Sequence, residues 1–389
     1  MFANTAYDAL IVGARCAGAA TAMLMARKGM RVLLVDRGGY GTDTISTHAL
    51  MRGGVLQLHR WRILPRLREA GTPPVRETTF HYGDETITVT IKAADGVDAL
   101  YAPRRTLLDS TLVDAAYEAG ATIRHGYTLV ELDHHSDGTV CGATLLDAEG
   151  NAIRINADLV IGADGVSSSV ARLAGAEIWA AARHSTAVIF GYFPDIELAN
   201  YHWWFRPSIG AGVIPTNRGL HCVFVAMSPE RLRRNPSRHD RAALFNDVLH
   251  EADPVLAAIV AATEPEAPLC LFAGRKGFLR QAYGPGWALV GDAGYFKDPL
   301  TAHGITDALR DAELLADAAS AGTMPEYAAI RDRLSLPLFE VSDEIAALDW
   351  DLDRIKGLHQ TLNQAMKSEV EHLLTLTDGH WALIEEEVS

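Results

Sequence analysis

Three acids that each close an apolar run, Asp36, Asp164 and Asp292, and a pair of glycines, Gly13 and Gly18, are the residues whose types and spacing could do chemistry in this chain. Gly13 follows Tyr7-Asp-Ala-Leu-Ile-Val12 and lets the chain turn sharply off a strand. Gly18 lets the next helix pack close, and that helix aims free N–H groups at a pyrophosphate. Asp36 ends Met30-Arg-Val-Leu-Leu-Val-Asp36 and is placed to accept hydrogen bonds from a ribose. The middle position of the usual glycine pattern is Arg15. An ordinary glycine turn is the competing reading, and context weighs against it, because strand, helix and acid all stand where the mechanism needs them.

The other two acids also sit in turns. Ala157-Asp-Leu-Val-Ile-Gly-Ala-Asp164-Gly165 continues through hydroxyls at Ser167 to Ser169 and on to Arg172, so N–H groups, hydroxyls and a carboxylate gather where α/β proteins bind ligands. An Asp-Gly turn also occurs with no ligand at all. Trp287-Ala-Leu-Val-Gly291-Asp292 ends in an acid suited to a ribityl or ribose hydroxyl. Pro299 to Gly304 then opens a helix whose N terminus can face an anionic ring edge.

Turns of this kind need parallel strands with helices between them. The pattern predicts a first helix over Ala19 to Ala26, a functional Gly/Thr/Ser loop from Gly38 to Thr47, and a helix from Gly53 to Leu67. Thr78 to Lys92 alternates as paired strands about Tyr82-Gly-Asp-Glu85, and Tyr101 to Gly120 returns to helical periodicity. Strands are expected at Thr122 to Arg124, Thr128 to Leu132, Val140 to Leu146 and Leu159 to Ile161, and through much of His184 to Met227. Arg241 to Ala262 reads as helix, Trp287 to Val290 as strand, and everything beyond Ile305 as helix, with breaks near Gly322 to Pro325 and at Pro337.

At 389 residues the chain can bury a large core. A formal charge of -14 with no long Lys/Arg run argues against nucleic acid as partner. Cys16, Cys141, Cys222 and Cys270 are scattered without metal-binding spacing, so free thiols and no metal are expected; Cys16 reads as a small side chain that fits the turn. No stretch is long and apolar enough to span a membrane, and a cytoplasmic location is the default.

The three motifs, in this order, resemble the FAD-dependent aromatic-hydroxylase type of flavoprotein monooxygenase, and the resemblance covers nearly the whole chain. It implies an α/β fold: an FAD-binding, Rossmann-like domain of the glutathione reductase type, with an inserted β-rich substrate domain and C-terminal helices. The corresponding divisions are 1–75, 99–180 and 270–325 for the FAD domain, 76–98 and 181–269 for the substrate domain, and 326–389 for the helical segment. Carried over residue by residue, Gly13, Arg15, Cys16, Ala17 and Gly18 would wrap the FAD pyrophosphate, and Asp36, with Arg37 beside it, would hold the adenosine ribose. Arg52 matches an arginine that approaches the pyrophosphate. Arg105 matches one near the flavin side, with Arg104 as its alternative. Leu129 stands where the adenine contact is made. Asp164 would serve the pyrophosphate region and transient NAD(P)H docking, Gly291 and Asp292 the ribityl chain, and Pro299, Gly304 and Ile305 the pyrimidine edge of the flavin. Arg172 falls one place later than the common spacing, and a helix-surface charge explains it equally well.

The resemblance implies NAD(P)H as transient reductant, since no second glycine-rich unit exists to bind it privately. With molecular oxygen, it implies oxidation of a small aromatic or polyketide-like molecule through a flavin C4a-(hydro)peroxide. Flavin-dependent halogenases share the fold but carry Trp-x-Trp-x-Ile-Pro, and Gly210-Ala-Gly-Val-Ile-Pro215 has glycine at both tryptophan places. Geranylgeranyl reductases carry Tyr-x-Trp-x-Phe-Pro, and Tyr201-His-Trp-Trp-Phe-Arg-Pro207 matches apart from the inserted Arg206, so a reductase ranks second. A non-catalytic carrier of an apolar ligand ranks last, because all three cofactor motifs are present. Tyr201, Trp203 and Phe205 share one strand face, and His202 and Trp204 the other; either could line a pocket. Tyr82, Trp203, Arg206, His221 and Tyr295 are candidates for the substrate pocket. His48 and His303 are weak candidates for acid-base work, each with a plain alternative as a solvated loop histidine.

Overall fold

A computed structural model describes residues 7–234 and 240–376. The parts of the expected domains at 1–6, 235–239 and 377–389 lie outside the described residues.

Parallel pairing decides where the chemistry goes. Tyr7–Val12 lies between Val32–Asp36 and Ala152–Gly162. Thr122–His125 flanks the first of these and Trp287–Leu289 the second, and all four pairings are parallel. Val12 pairs with both Val35 and Gly162, and Leu289 with Gly162. Each strand therefore stops at the same edge, and Gly13, Asp36, Asp164 and Asp292 all leave the sheet there. The helices Cys16–Arg27 and Gly304–Ala321 pack on one face and start at that edge. A hairpin of Thr128–His134 and Val140–Leu146 extends the long strand Ala152–Gly162 outward.

The second sheet has seven strands, in the order Cys270–Phe272, Ala187–Phe193, His221–Met227, Ile209–Pro215, Tyr201–Arg206, Glu77–Tyr82 and Glu85–Thr90. Its alternation splits the aromatic residues between two cores. Phe190, Tyr192, Tyr201, Trp203, Phe205 and Phe224 join the core shared with the helices of the dinucleotide unit. Phe193, Trp204, Val213, Val223 and Val225 pack beneath Arg241–Ala252 and Pro254–Ala261. Two long helices, Met324–Ala346 and Leu352–Thr375, close the molecule.

Four helix expectations need correction. Gly53 to Leu67 is two helices, Arg52–Arg60 and Leu64–Glu69, because Arg62 takes a left-handed backbone (φ 61°) and Pro65 opens the second. The helix expected from Tyr101 begins at Arg105, since Tyr101 pairs as an isolated bridge with Leu50. Arg241 to Ala262 breaks at Asp253, which is extended before Pro254 and caps the second helix by accepting the Leu256 N–H at 2.8 Å. Pro337, expected to end a helix, lies inside Met324–Ala346, where buried Leu334, Leu338 and Phe339 hold the turns around it. The break falls instead near Leu348, whose φ is 57°.

Candidate functional site

At the first turn, Gly13 has φ +109°, and a Cβ there would stand 2.4 Å from the Ala163 carbonyl oxygen. A Cβ on Gly18 would stand 1.8 Å from that of Gly13. Both positions exclude any side chain. The helix they introduce has no side-chain cap and no acid in its first turn, so its positive end is unscreened by its own residues. Asp109, from the helix Arg105–Glu118, supplies an anion from elsewhere: it accepts the Cys16 N–H at 3.0 Å, pairs with Arg105 at 3.0 Å and takes Arg15 at 3.2 Å. One carboxylate therefore faces two guanidinium groups and a helix terminus. Such a cradle is short of negative charge and fits a pyrophosphate.

Arg15 reaches across the turn to the loop after the second strand, donating to the Thr42 hydroxyl at 3.1 Å and the Asp43 carbonyl at 3.2 Å. Asp36 accepts the Ala14 and Gly38 N–H groups, both at 2.6 Å, which aims it into the cleft between turn and loop. Arg37 is exposed beside it. Burial lifts the Cys16 thiol to about 11, so it stays protonated and inert. Ala17 is buried behind it.

Asp164 accepts the Ser168 hydroxyl at 2.5 Å and the Ser169 N–H at 2.6 Å, capping the short helix Ser169–Leu173, and burial raises its pKa. Arg172 is an exposed charge on that helix, in keeping with the plain alternative. Gly291 has φ +58°, and its Cβ position lies 3.0 Å from the Ala17 side chain, which brings the third motif against the first helix. Burial pushes the Asp292 carboxyl up to about 6, against the pull of Lys297 and Arg105. Pro299 begins a single turn, Ala302 takes φ 50°, and His303 leads into Gly304–Ala321 with no side-chain cap. Gly304 is exposed, and a Cβ there meets nothing within 4 Å, while Ile305 is buried behind it. An uncapped helix terminus opening on free space fits the anionic edge of a ring.

Other expected residues lie elsewhere. Arg52 gives its guanidinium to the carbonyls of Lys92 and Ala94, and Leu129 is in the core behind the parallel sheet. Arg206 donates to the Ala252 carbonyl at 2.9 Å and His221 pairs with the Leu198 carbonyl at 2.8 Å. Both lie on the sheet face turned away from the dinucleotide unit. Tyr295 donates to the Ser335 carbonyl at 3.2 Å among buried charges. Trp203 faces the dinucleotide unit, and the Tyr82 hydroxyl shares a hydrogen bond with His359 Nδ1 at 2.7 Å under the helix Leu352–Thr375.

Neither weak histidine candidate is a solvated loop residue. His48 is 1% exposed, has φ 68°, stacks on Tyr192 at 5.3 Å and hydrogen-bonds its hydroxyl through Nε2. Burial, with Arg105 and Arg104 nearby, keeps it neutral. Arg104 lies 3.6 Å from the Tyr192 ring centre and also pairs with Asp43 and Glu266. His303 is 1% exposed and bonds Glu369 at 2.6 Å. His303, Asp307 and Glu369 offer donor atoms within 4.8 Å of one another, yet Lys297 pairs with Asp307 and Arg310 bonds both carboxylates, so the cations of the chain already serve these oxygens. Sequence reasoning gave no role to Asp109, Tyr192, Lys297, Arg310 or Glu369. Asp109 alone carried a visible cue, standing four residues after Arg105, on the same helix face.

The model of the FAD binding domain family matches residues 6–321. The chain belongs to that family. It is an FAD-dependent oxidoreductase. This flavoprotein is 26% identical over 346 residues to the menaquinone reductase of Mycolicibacterium smegmatis, which covers 83% of this chain and 79% of the relative. Its fold is similar to that of the flavin-dependent brominase Bmp2 (TM-score 0.78, 17% identity, 99% of this chain and 98% of the other). It is also similar to that of PqsL from Pseudomonas aeruginosa, described as a probable FAD-dependent monooxygenase (TM-score 0.74, 18% identity, 92% and 100%).

Proposed function

We propose that this flavoprotein is a monooxygenase that takes electrons from NAD(P)H and oxidises a small aromatic or polyketide-like molecule. The observation that carries the reading is the dry aromatic face turned toward the dinucleotide unit, where Tyr201, Trp203 and Phe205 are at most 6% exposed. Oxidation beside a reduced flavin needs water kept out, and aromatic faces suit an organic ring. When bound, FAD supplies the two-electron redox chemistry and the reactivity toward oxygen.

In this reading the Cys16 helix terminus, Arg15 and Arg105 hold the pyrophosphate, Asp36 the ribose, Asp292 the ribityl chain, and the Gly304 helix terminus the charged ring edge. Asp164 lies at the same sheet edge, where a nicotinamide nucleotide would dock. His48, neutral and bonded to Tyr192, has an Nδ1 without a partner among the described residues, so it can relay a proton between that hydroxyl and a substrate group that reaches Nδ1.

Halogenation is disfavoured by sterics as well as by sequence. A Cβ on Gly212 would stand 2.3 Å from the Phe224 ring, leaving no room for the halogenase tryptophan. A reductase is the second reading, favoured by the menaquinone reductase relative.

Labelled oxygen distinguishes the two readings. The holoenzyme is mixed with NAD(P)H and candidate aromatic substrates under oxygen-18 gas. Label in the product is expected; turnover that continues without oxygen, on a quinone or alkene, would promote the reductase.

A further inference from the structure

Charged groups crowd around His303 at the start of the Gly304–Ala321 helix. Asp307, Asp311 and Glu369 contribute carboxylates and Lys297 and Arg310 contribute cations, all at most 5% exposed. Arg310 donates to Asp307 at 3.1 Å, to Asp311 at 2.7 Å and to Glu369 at 3.0 Å, and Lys297 pairs with Asp307. Three carboxylates face two cations, so the cluster is one positive charge short while His303 is neutral.

His303 is built to supply that charge. Its Nε2 lies 2.6 Å from Glu369 Oε2, which fixes the proton of the neutral ring on Nε2. Nδ1 is buried and has no partner among the described residues. Burial lowers the pKa of His303, with Lys297 and Arg310 adding to that effect and Glu369 opposing it. Against its own burial, Glu369 is held down to about 2 by His303 and Arg310. Two other groups there could titrate near neutrality: burial brings Lys297 down to about 7, and Asp292 is lifted to about 6.

We propose that His303 takes up a proton when the flavin is reduced, with Glu369 as the positioning residue that holds the ring and pairs with the imidazolium. The proposal rests on the reading that sets the flavin edge at the Gly304 helix terminus. Reduction of the ring by two electrons and one proton leaves it negative. That charge, in a water-poor site beside an already negative cluster, raises the proton affinity of a neutral base within that cluster, which His303 is. The proton comes from the medium and forms one N–H bond at Nδ1; electrons come from NAD(P)H, or from dithionite in the test. Two electrons and two protons in all then leave the net charge of ring and cluster the same as in the oxidised state, so the step softens the electrostatic cost of reduction.

The midpoint potential of the holoenzyme against pH tests this, by anaerobic dithionite reduction with a reference dye. Each proton coupled to a two-electron couple adds about 30 mV per pH unit. The wild-type line is expected to be steeper than that of His303→Gln by about this amount over roughly pH 6 to 8. Glu369→Gln should flatten it as well, and Lys297→Met should keep the wild-type slope. Parallel lines for wild type and His303→Gln, or flattening in Lys297→Met instead, overturn the proposal. If the variants lose FAD, a pH indicator counts protons on the wild type: two per flavin, with the anionic reduced spectrum, supports the proposal, and one overturns it. The flavin placement is tested apart from this, because full FAD retention by Gly304→Leu would sink the placement whatever the slopes show.

Discussion

Asp109 accepts the Cys16 N–H at 3.0 Å while its other contacts are the guanidinium groups of Arg105 and Arg15. A carboxylate from the helix Arg105–Glu118 thereby stands at the terminus of the first helix, and binds together two cations that would otherwise repel. Arg105 is 8% exposed and cannot turn to water for a substitute partner.

Asp109→Ala is expected to destabilise the apoprotein by about 3 kcal/mol, the usual cost of leaving a buried charge unpaired. Excess FAD should recover a large part of the lost melting temperature, because its phosphates would answer the same cations. Thermal denaturation with and without FAD measures both. Equal losses in the two states would mean that Asp109 is only a packing residue.

Arg15→Gly restores the usual glycine pattern and removes the tie to Thr42 and Asp43. The side chain is about a third exposed, so the stability change should stay below about 1 kcal/mol. FAD affinity, read by flavin fluorescence quenching, is expected to fall by less than about tenfold, with faster proteolysis of the Gly38–Thr47 loop. A gain in affinity would show that the arginine only obstructs.

The strand ends and their acids were legible because parallel strands buried on both faces leave continuous apolar runs in the sequence, and each motif carries its turn residue with it. Asp109 and Glu369 were not legible in the same way. Cys16 and Asp109 are far apart in the chain, and Glu369 comes from a helix whose spacing shows an apolar stripe and says nothing of what a buried acid on it will meet. Alternation also told which of Tyr201 to Arg206 share a face without telling which face turns to the cofactor unit, and so Arg206 and His221 were grouped with Trp203. Pro337 reads as a helix break by propensity; the buried neighbours on either side of it override that preference.

Asp292 gives a pH dependence of defined sign. Its carboxyl is raised from 3.8 to about 6 in the folded chain, so the folded state binds the proton more tightly than the unfolded state. The associated stability is full below about pH 4 and is lost as pH rises through about 6, at a cost of roughly 2–3 kcal/mol above it. Asp292→Asn removes the titration and is expected to make the apoprotein more stable than wild type at pH 8, with little difference at pH 4. It should also loosen FAD, since an amide accepts ribityl hydroxyls less well than a carboxylate. Urea denaturation of the apoprotein at the two pH values, with FAD dissociation measured alongside, tests the pair. Greater stability at pH 8 with unchanged FAD affinity would leave Asp292 without a part in binding.

Gly304 offers the cleanest separation of folding from cofactor binding. A Cβ there meets nothing within 4 Å, and the residue stands at the first position of a helix, where backbone freedom costs stability rather than supplying it. Gly304→Ala is therefore expected to leave apoprotein stability unchanged or raise it by up to about 1 kcal/mol. Gly304→Leu should fold as well but fill the open space, so that FAD content after purification falls sharply and the ring spectrum of any residual flavin shifts. Loss of folding in both variants would mean that the space is a packing defect; normal FAD in both would place the ring edge somewhere other than this helix terminus.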